Sequence, residues 1–270
     1  MTAIDLTPAL RTPALPRVNL RGLLPFVLPV ALLAGWEAAS MAGIVSDRIL
    51  PRPSAVLVTG WEKLWSGELL THLGVSALRA LAGLAVGGGI GFLLGLANGL
   101  SRNSALATDT TLQMIRNIPN LALIPLVIVW FGIGEGAKLF MVSLSVFFPV
   151  YLNTFHGIRN VDPQLIEMGR AYGLSRWRLF RRIIQPGALP SIFVGLRYAL
   201  GLMWLTLIVA ETLSASSGLG YMAMQAREFM LLDVVVLAIL LYALLGKLAD
   251  SLTRVLESRV LAWNPVYARR

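Results

Sequence analysis

Residues 162–190 read DPQLIEMGRAYGLSRWRLFRRIIQPGALP, from Asp162 to Pro190. Long apolar stretches flank this segment on both sides, and that contrast decides the fold: a basic, polar island stands between membrane spans. The island holds Arg170, Arg176, Arg178, Arg181 and Arg182 against only two acids, Asp162 and Glu167. It has helical periodicity and carries Glu167, Gly173, Ile183 and Pro186 in its two halves. A loop that only connects two helices is short. One this long and this patterned is expected to dock a partner.

Working outward, the whole chain agrees with a membrane setting. Of its 270 residues, 56% are hydrophobic and 14% charged, where a soluble domain carries about 25% charged residues. Apolar runs long enough to cross a bilayer, roughly 18 residues or more, recur along the chain. The fold class is therefore all-α, a polytopic membrane protein. Net charge is +9. Arg and Lys collect in cytoplasmic segments by the positive-inside rule, which accounts for the excess without a nucleic-acid partner. The absence of cysteine removes disulfides, thiol catalysis and thiolate metal sites. Residues 1–22 lack an apolar core and a cleavage motif, so they read as a cytoplasmic tail and not a signal peptide.

Six spans are predicted, at about Leu23–Ile44, Val75–Leu100, Leu121–Ile133, Lys138–His156, Ser191–Leu213 and Asp233–Leu252. Together they make a transmembrane region over 23–256 with the island at 162–190 and a cytoplasmic tail at 257–270. Arg11, Arg17 and Arg21 hold the N-terminus inside, and an even number of spans puts the C-terminus inside too. Trp61, Leu64 and Trp65 form one stripe of an interfacial helix within 45–72. Residues 101–120 read as a polar connection, with the third span reaching back to Thr110 if it is kinked. Residues 214–220, SASSGLG, read as a flexible turn. In the second span Gly83, Gly87, Gly91, Gly95 and Gly99 recur every four residues, a ladder that lets another backbone approach closely.

Several chemistries are excluded by their missing parts. A phosphate-binding loop needs G-x-x-x-x-G-K-[ST], and the only Gly-Lys pair, Gly246-Lys247, continues into Leu248. No H-E-x-x-H or G-x-S-x-G occurs, and His72 and His156 stand far apart, so no metal site is expected. Uphill transport by this chain must draw its energy from an ion gradient or a partner.

The island resembles the EAA loop of ABC importer permeases, whose pattern is E-A-A, three residues, G, nine residues, I-x-L-P. Here the pattern reads Glu167-Met168-Gly169, then Gly173, then Ile183 and Pro186, with Met168 and Gly169 in place of the alanines and Gln185 in place of the leucine. The stretches NIPNLALIPLVIVWFGI, FHGIRNVD and QPGALPSIFVGLRYALGLMWLTLIVAET look like permease subunits of aliphatic sulfonate importers. That subfamily also includes taurine, nitrate and thiamine-precursor permeases.

The resemblance implies a type I ABC importer permease fold of six transmembrane helices and a homodimer in the inner membrane. It implies that Glu167, Gly169, Ala171, Gly173, Leu174, Ile183 and Pro186 couple to a separate cytoplasmic ATP-binding subunit. ATP and Mg would bind on that subunit, so no cofactor is expected on this chain and no enzymatic activity. A periplasmic or lipid-anchored binding protein would deliver the solute.

An alkanesulfonate path wants a few donors among apolar walls. The fifth span offers Arg197, Met203, Trp204 and Glu211. Charges inside spans are costly and tend to be functional. Arg197 and Glu211 are too far apart to pair within one helix. Arg197 therefore either pairs with a neighbouring span or faces a wet cavity. An ion-coupled secondary transporter is the competing class; it predicts paired internal repeats, which the sequence does not display.

Overall fold

The structure, a computed structural model, describes residues 24–47, 49–214 and 216–264. The N-terminal tail with Arg11, Arg17 and Arg21, together with Leu23, Arg48, Ala215, Arg269 and Arg270, lies outside the described residues. Two compact units are distinguished, 1–53 and 54–270. In the first, α1 (Leu24–Met41) is followed by a turn in which Asp47 accepts from the Ser40 hydroxyl and the Arg52 guanidinium. The hydrogen bond from Arg52, and after it that from Ser40, hold the Asp47 carboxyl below its ordinary range.

Among its described residues the second unit is built of helices joined by short turns, with no strand, as expected where lipid leaves no solvent for backbone groups. Its order is α2 (Pro53–Trp65), α3 (Glu68–Gly83), a π-turn (Leu84–Gly88), α4 (Gly89–Leu100), α5 (Arg102–Arg116), a 3-10 turn (Asn120–Leu123), α6 (Ile124–Phe131) and α7 (Glu135–Arg159). Then come α8 (Pro163–Ala171), α9 (Arg176–Leu179), a second π-turn (Phe180–Ile184), α10 (Gln185–Ser214), α11 (Leu219–Glu228) and α12 (Leu232–Val260). Helix α7 is the central element, packed by α3 and α4 and by α10. Ala80, Val142, Val146, Ala199, Met203 and Leu207 meet in one buried cluster between them. A second cluster joins Leu69 of α3 to Leu219 and Met222 of α11 and to Val234, Ala238 and Tyr242 of α12.

Among the described residues, four helical runs are long and apolar enough to cross a membrane: Glu68–Leu100, Glu135–Arg159, Arg176–Leu213 and Leu232–Val260. The third predicted span becomes a bent pair, Arg102–Arg116 with Asn120–Phe131, whose arms meet at 82°. The first is represented by a shorter apolar helix, Val27–Met41.

Residues 102–116 are helical, not a connection. The Ser101 hydroxyl caps α5 by accepting from the Ser104 N–H at 3.3 Å, and Pro119 forces the break that follows. The fifth span starts fifteen residues early, because the wide π-turn before Pro186 leaves room for a ring that would clash in a tight α-turn. Gly67, at φ 79, splits the interfacial segment: α2 ends at Trp65, and α3 joins the second span. Trp61 and Trp65 stay exposed on α2 and stack on each other. Helix α12 continues through 257–260, where Glu257 is buried.

Candidate functional site

The island folds as α8, a tight corner, and the start of a long helix. Asp162 caps α8 by accepting from the Gln164 N–H at 2.8 Å, and Pro163 occupies the first turn, where its missing donor costs nothing. The corner is a Schellman motif: the Leu174 N–H reaches the Gly169 carbonyl and the Gly173 N–H the Arg170 carbonyl. Gly173 has φ +72, a left-handed conformation that side chains with a Cβ resist. Gly169 is small for another reason. A Cβ there would stand 2.6 Å from Ile183 and 2.7 Å from Leu179, so α8 lies directly on the following helix. Leu174 and Ile183 are half-buried in the same contact; Pro186 is half-buried too, while Glu167 and Ala171 are exposed.

Around them Met168, Tyr172 and Trp177 are exposed, as are the five arginines of the island. A cavity of about 770 Å³ runs beside the corner, between Leu96 and Leu100 of α4 and Arg170, Trp177 and Phe180. Apolar anchors ringed by arginines that have no carboxylate partner among the described residues make a face suited to a macromolecular partner.

The glycine ladder lies against α7. A Cβ at Gly91 would stand 2.5 Å from the Phe147 carbonyl oxygen, at Gly95 2.7 Å from that of Tyr151, and at Gly99 2.8 Å from the Ile158 side chain. At Gly83 and Gly87 it would overlap Val142 and Ser143. Only backbones without side chains between them approach this closely.

At the opposite end of the bundle from the island, Glu211 is buried. Its carboxylate accepts from the Ser76 hydroxyl at 2.8 Å, Arg79 Nη1 at 2.8 Å, the Gly220 N–H at 2.9 Å and the Tyr242 hydroxyl at 2.8 Å. Arg79 also forks onto Glu135, which takes Lys138 at 2.8 Å as well. The segment around 217–220 is pinned rather than flexible: Arg79 bonds the Ser217 carbonyl, and the Gly218 and Leu219 N–H groups donate to His72 Nδ1 and Ser76 Oγ. Five helices, α3, α7, α10, α11 and α12, and the turn before α11 thus converge on one ion cluster. Sequence reasoning singled out Glu211 but missed Arg79, Glu135, Lys138, Ser76 and Tyr242. The available signal was Arg79, a lone cation in the second apolar run, opposite in sign to Glu211.

The other path residues are scattered. Arg197 pairs with Asp250 at 3.1 Å and stands 3.8 Å from Glu257, both on α12. It also edges a groove with Tyr198, Gly201 and Leu202. Met203 is buried in the α7–α10 cluster, and Trp204 packs edge-on against Tyr242. Neither joins Arg197 in its groove.

Residues 87–262 match the family model described as binding-protein-dependent transport system inner membrane component. The chain belongs to this family. It is a multi-pass inner-membrane permease. Across 243 residues, 90% of this permease and 92% of the relative, it is 59% identical to the aliphatic sulfonates transport permease protein SsuC of Escherichia coli (strain K12). It is 42% identical to the protein of the same name from Bacillus subtilis (strain 168), over 92% of this chain and 89% of that one. It is 34% identical to the taurine transport system permease protein TauC of Escherichia coli (strain K12), over 88% of each. A chain of the inward-facing MetNI methionine ABC transporter is also similar, at 20% identity and TM-score 0.48, over 72% of this chain and 97% of that one.

Proposed function

We propose that this permease forms the membrane path of an ABC importer for aliphatic sulfonates and works by alternating access as a homodimer. The observation that carries the cargo assignment is the 59% identity to a relative named for aliphatic sulfonates, against 34% to the taurine permease. The permease supplies no phosphate-binding loop, so a separate cytoplasmic ATPase provides the energy and a periplasmic or lipid-anchored binding protein delivers the solute. The ATPase docks on α8 and the Gly173 corner, with Glu167, Ala171 and the exposed arginines at the contact. Both termini lie in the cytoplasm, on the same side as that corner.

The test is uptake in a strain lacking this gene, measured with ethanesulfonate, taurine and nitrate. Loss of ethanesulfonate uptake with the other two retained supports the assignment. Loss of taurine or nitrate uptake alone refutes it. Copurification of an ATPase with the tagged permease checks the docking surface, and its absence with the membrane protein intact rejects that part.

A further inference from the structure

Several cations on the long helices of the bundle have carboxylate partners: Arg79 has Glu135 and Glu211, Lys138 has Glu135, and Arg197, Lys247 and Arg254 share Asp250. Arg102, Arg116, Arg159 and Arg259 have none among the described residues, Arg159 donating instead to the Asn98 carbonyl, and of these it is Arg116 that stands where two cavities meet. It is the last residue of α5, at the elbow of the bent pair, and among the described residues no hydrogen-bond acceptor or carboxylate meets its guanidinium. Two cavities of about 490 Å³ each lie on either side of it, and they share Arg116, Phe148 and Leu152 as a common wall. One opens along α5 and the end of α7 toward Arg159, beside the island. The other runs under the elbow to Asn120, Leu144 and Leu202 on α10. The Asn120 amide has no partner among the described residues. The second cavity is walled mainly by aromatic and aliphatic residues, whereas the first also carries Arg102, Asp109, Gln113, His156 and Arg159.

We propose that Arg116 is the anion-holding residue of the transport path, taking a sulfonate head at the junction of the two cavities while Phe148, Leu152 and Leu202 line the space for an alkyl tail. A sulfonate is permanently charged, so it crosses a low-dielectric passage only against a fixed donor. The guanidinium fork matches two oxygens of such a head and never deprotonates. Arg197 is already neutralised by α12, whereas the charge of Arg116 is uncompensated. The proposal rests on the cargo assignment above.

The experiment uses the complete transporter, with its ATPase and binding protein, in phosphatidylcholine proteoliposomes supplied with labelled hexanesulfonate. Arg116→Gln is expected to lower uptake at least tenfold, with ATPase copurification unchanged, and Arg116→Lys to recover part of it. Arg227→Gln, on α11 away from both cavities, is expected to transport like the parent. Equal uptake by Arg116→Gln and the parent overturns the inference and leaves the cargo assignment standing. A parent complex that carries no alkanesulfonate overturns both. In a second arm, phosphatidylglycerol retention by the permease is followed by native mass spectrometry. If Arg116→Gln sheds bound phosphatidylglycerol while transporting hexanesulfonate normally, the site holds a lipid phosphate and the inference fails.

Discussion

Replacing Gly91 by alanine tests the close packing of α4 on α7 directly, because a control stands two residues away. The new Cβ at Gly91 would lie 2.5 Å from the Phe147 carbonyl oxygen, whereas at Gly89 it would meet nothing within 4 Å. Ordinary contact begins near 3.4 Å, so Gly91→Ala must push α4 and α7 apart by about 0.9 Å, and rigid backbone leaves it no side chain to displace. Overpacking of this kind costs about 1–3 kcal/mol. Both variants gain the same helix propensity, about 1 kcal/mol over glycine, so it cancels between them. Gly89→Ala is therefore expected to match or exceed the parent in thermal stability, and Gly91→Ala to fall below Gly89→Ala by about 1–3 kcal/mol. At about 2–4 °C per kcal/mol, the melting midpoints in detergent, followed by loss of the monodisperse chromatographic peak, should separate by several degrees. Coincident midpoints would refute the close approach of α4 to α7.

Gly173→Leu forces a branched side chain into a left-handed corner at a cost of about 1–2 kcal/mol; it should leave the protein in the membrane but abolish ATPase copurification and uptake, and Gly173→Asn should be milder. Wild-type uptake by Gly173→Leu would discount the coupling role. Glu211→Gln leaves Arg79 with a severed buried partner, for which about 3–5 kcal/mol is the usual loss; the Arg79→Gln/Glu211→Gln double variant should lose less than the two single losses added together, and strict additivity in a double-mutant cycle would deny the pair. Arg197→Gln removes the tie from α10 to Asp250 on α12 and should lower the yield of assembled transporter, with Arg197→Lys intermediate; normal assembly with lost uptake would place Arg197 on the solute path instead.

What the sequence disclosed follows from how local each signal is. The glycine ladder and the island could be read because their spacing alone defines a helix face or a motif. The Arg79–Glu211 pair could not: the two residues are 132 positions apart, and a single chain displays charges without their partners. Helix α5 was hidden by Asn103, Ser104, Thr108, Asp109 and Thr110, polar residues that favour turns. Its cap at Ser101 and its contact with α4 override that preference. The continuity of α10 through Pro186 and Pro190 was obscured by two prolines that ordinarily end helices. The π-turn ahead of Pro186 accommodates the first of them, while Pro190 sits within the plain α-helical run, and nothing in local composition announces either.

The first π-turn, Leu84–Gly88, has a different consequence. Each residue of an α-helix advances the face by about 100°, so an unbroken helix of the same length would turn Arg79 away from Glu211 or the lower glycines away from α7. The π-turn stores one spare residue and keeps both ends in phase. Deleting Val86 should therefore convert the bulge to plain α-helix and leave both faces in place. Deleting Leu94, in α4, takes away a residue the helix has no surplus of and rotates everything above it out of alignment. A stretch that looks like a defect in the run from α3 to α4 is thus its tolerance, a place in that span where length can change without misaligning what lies at either end; equal loss of folded protein from the two deletions would show that no such slack exists.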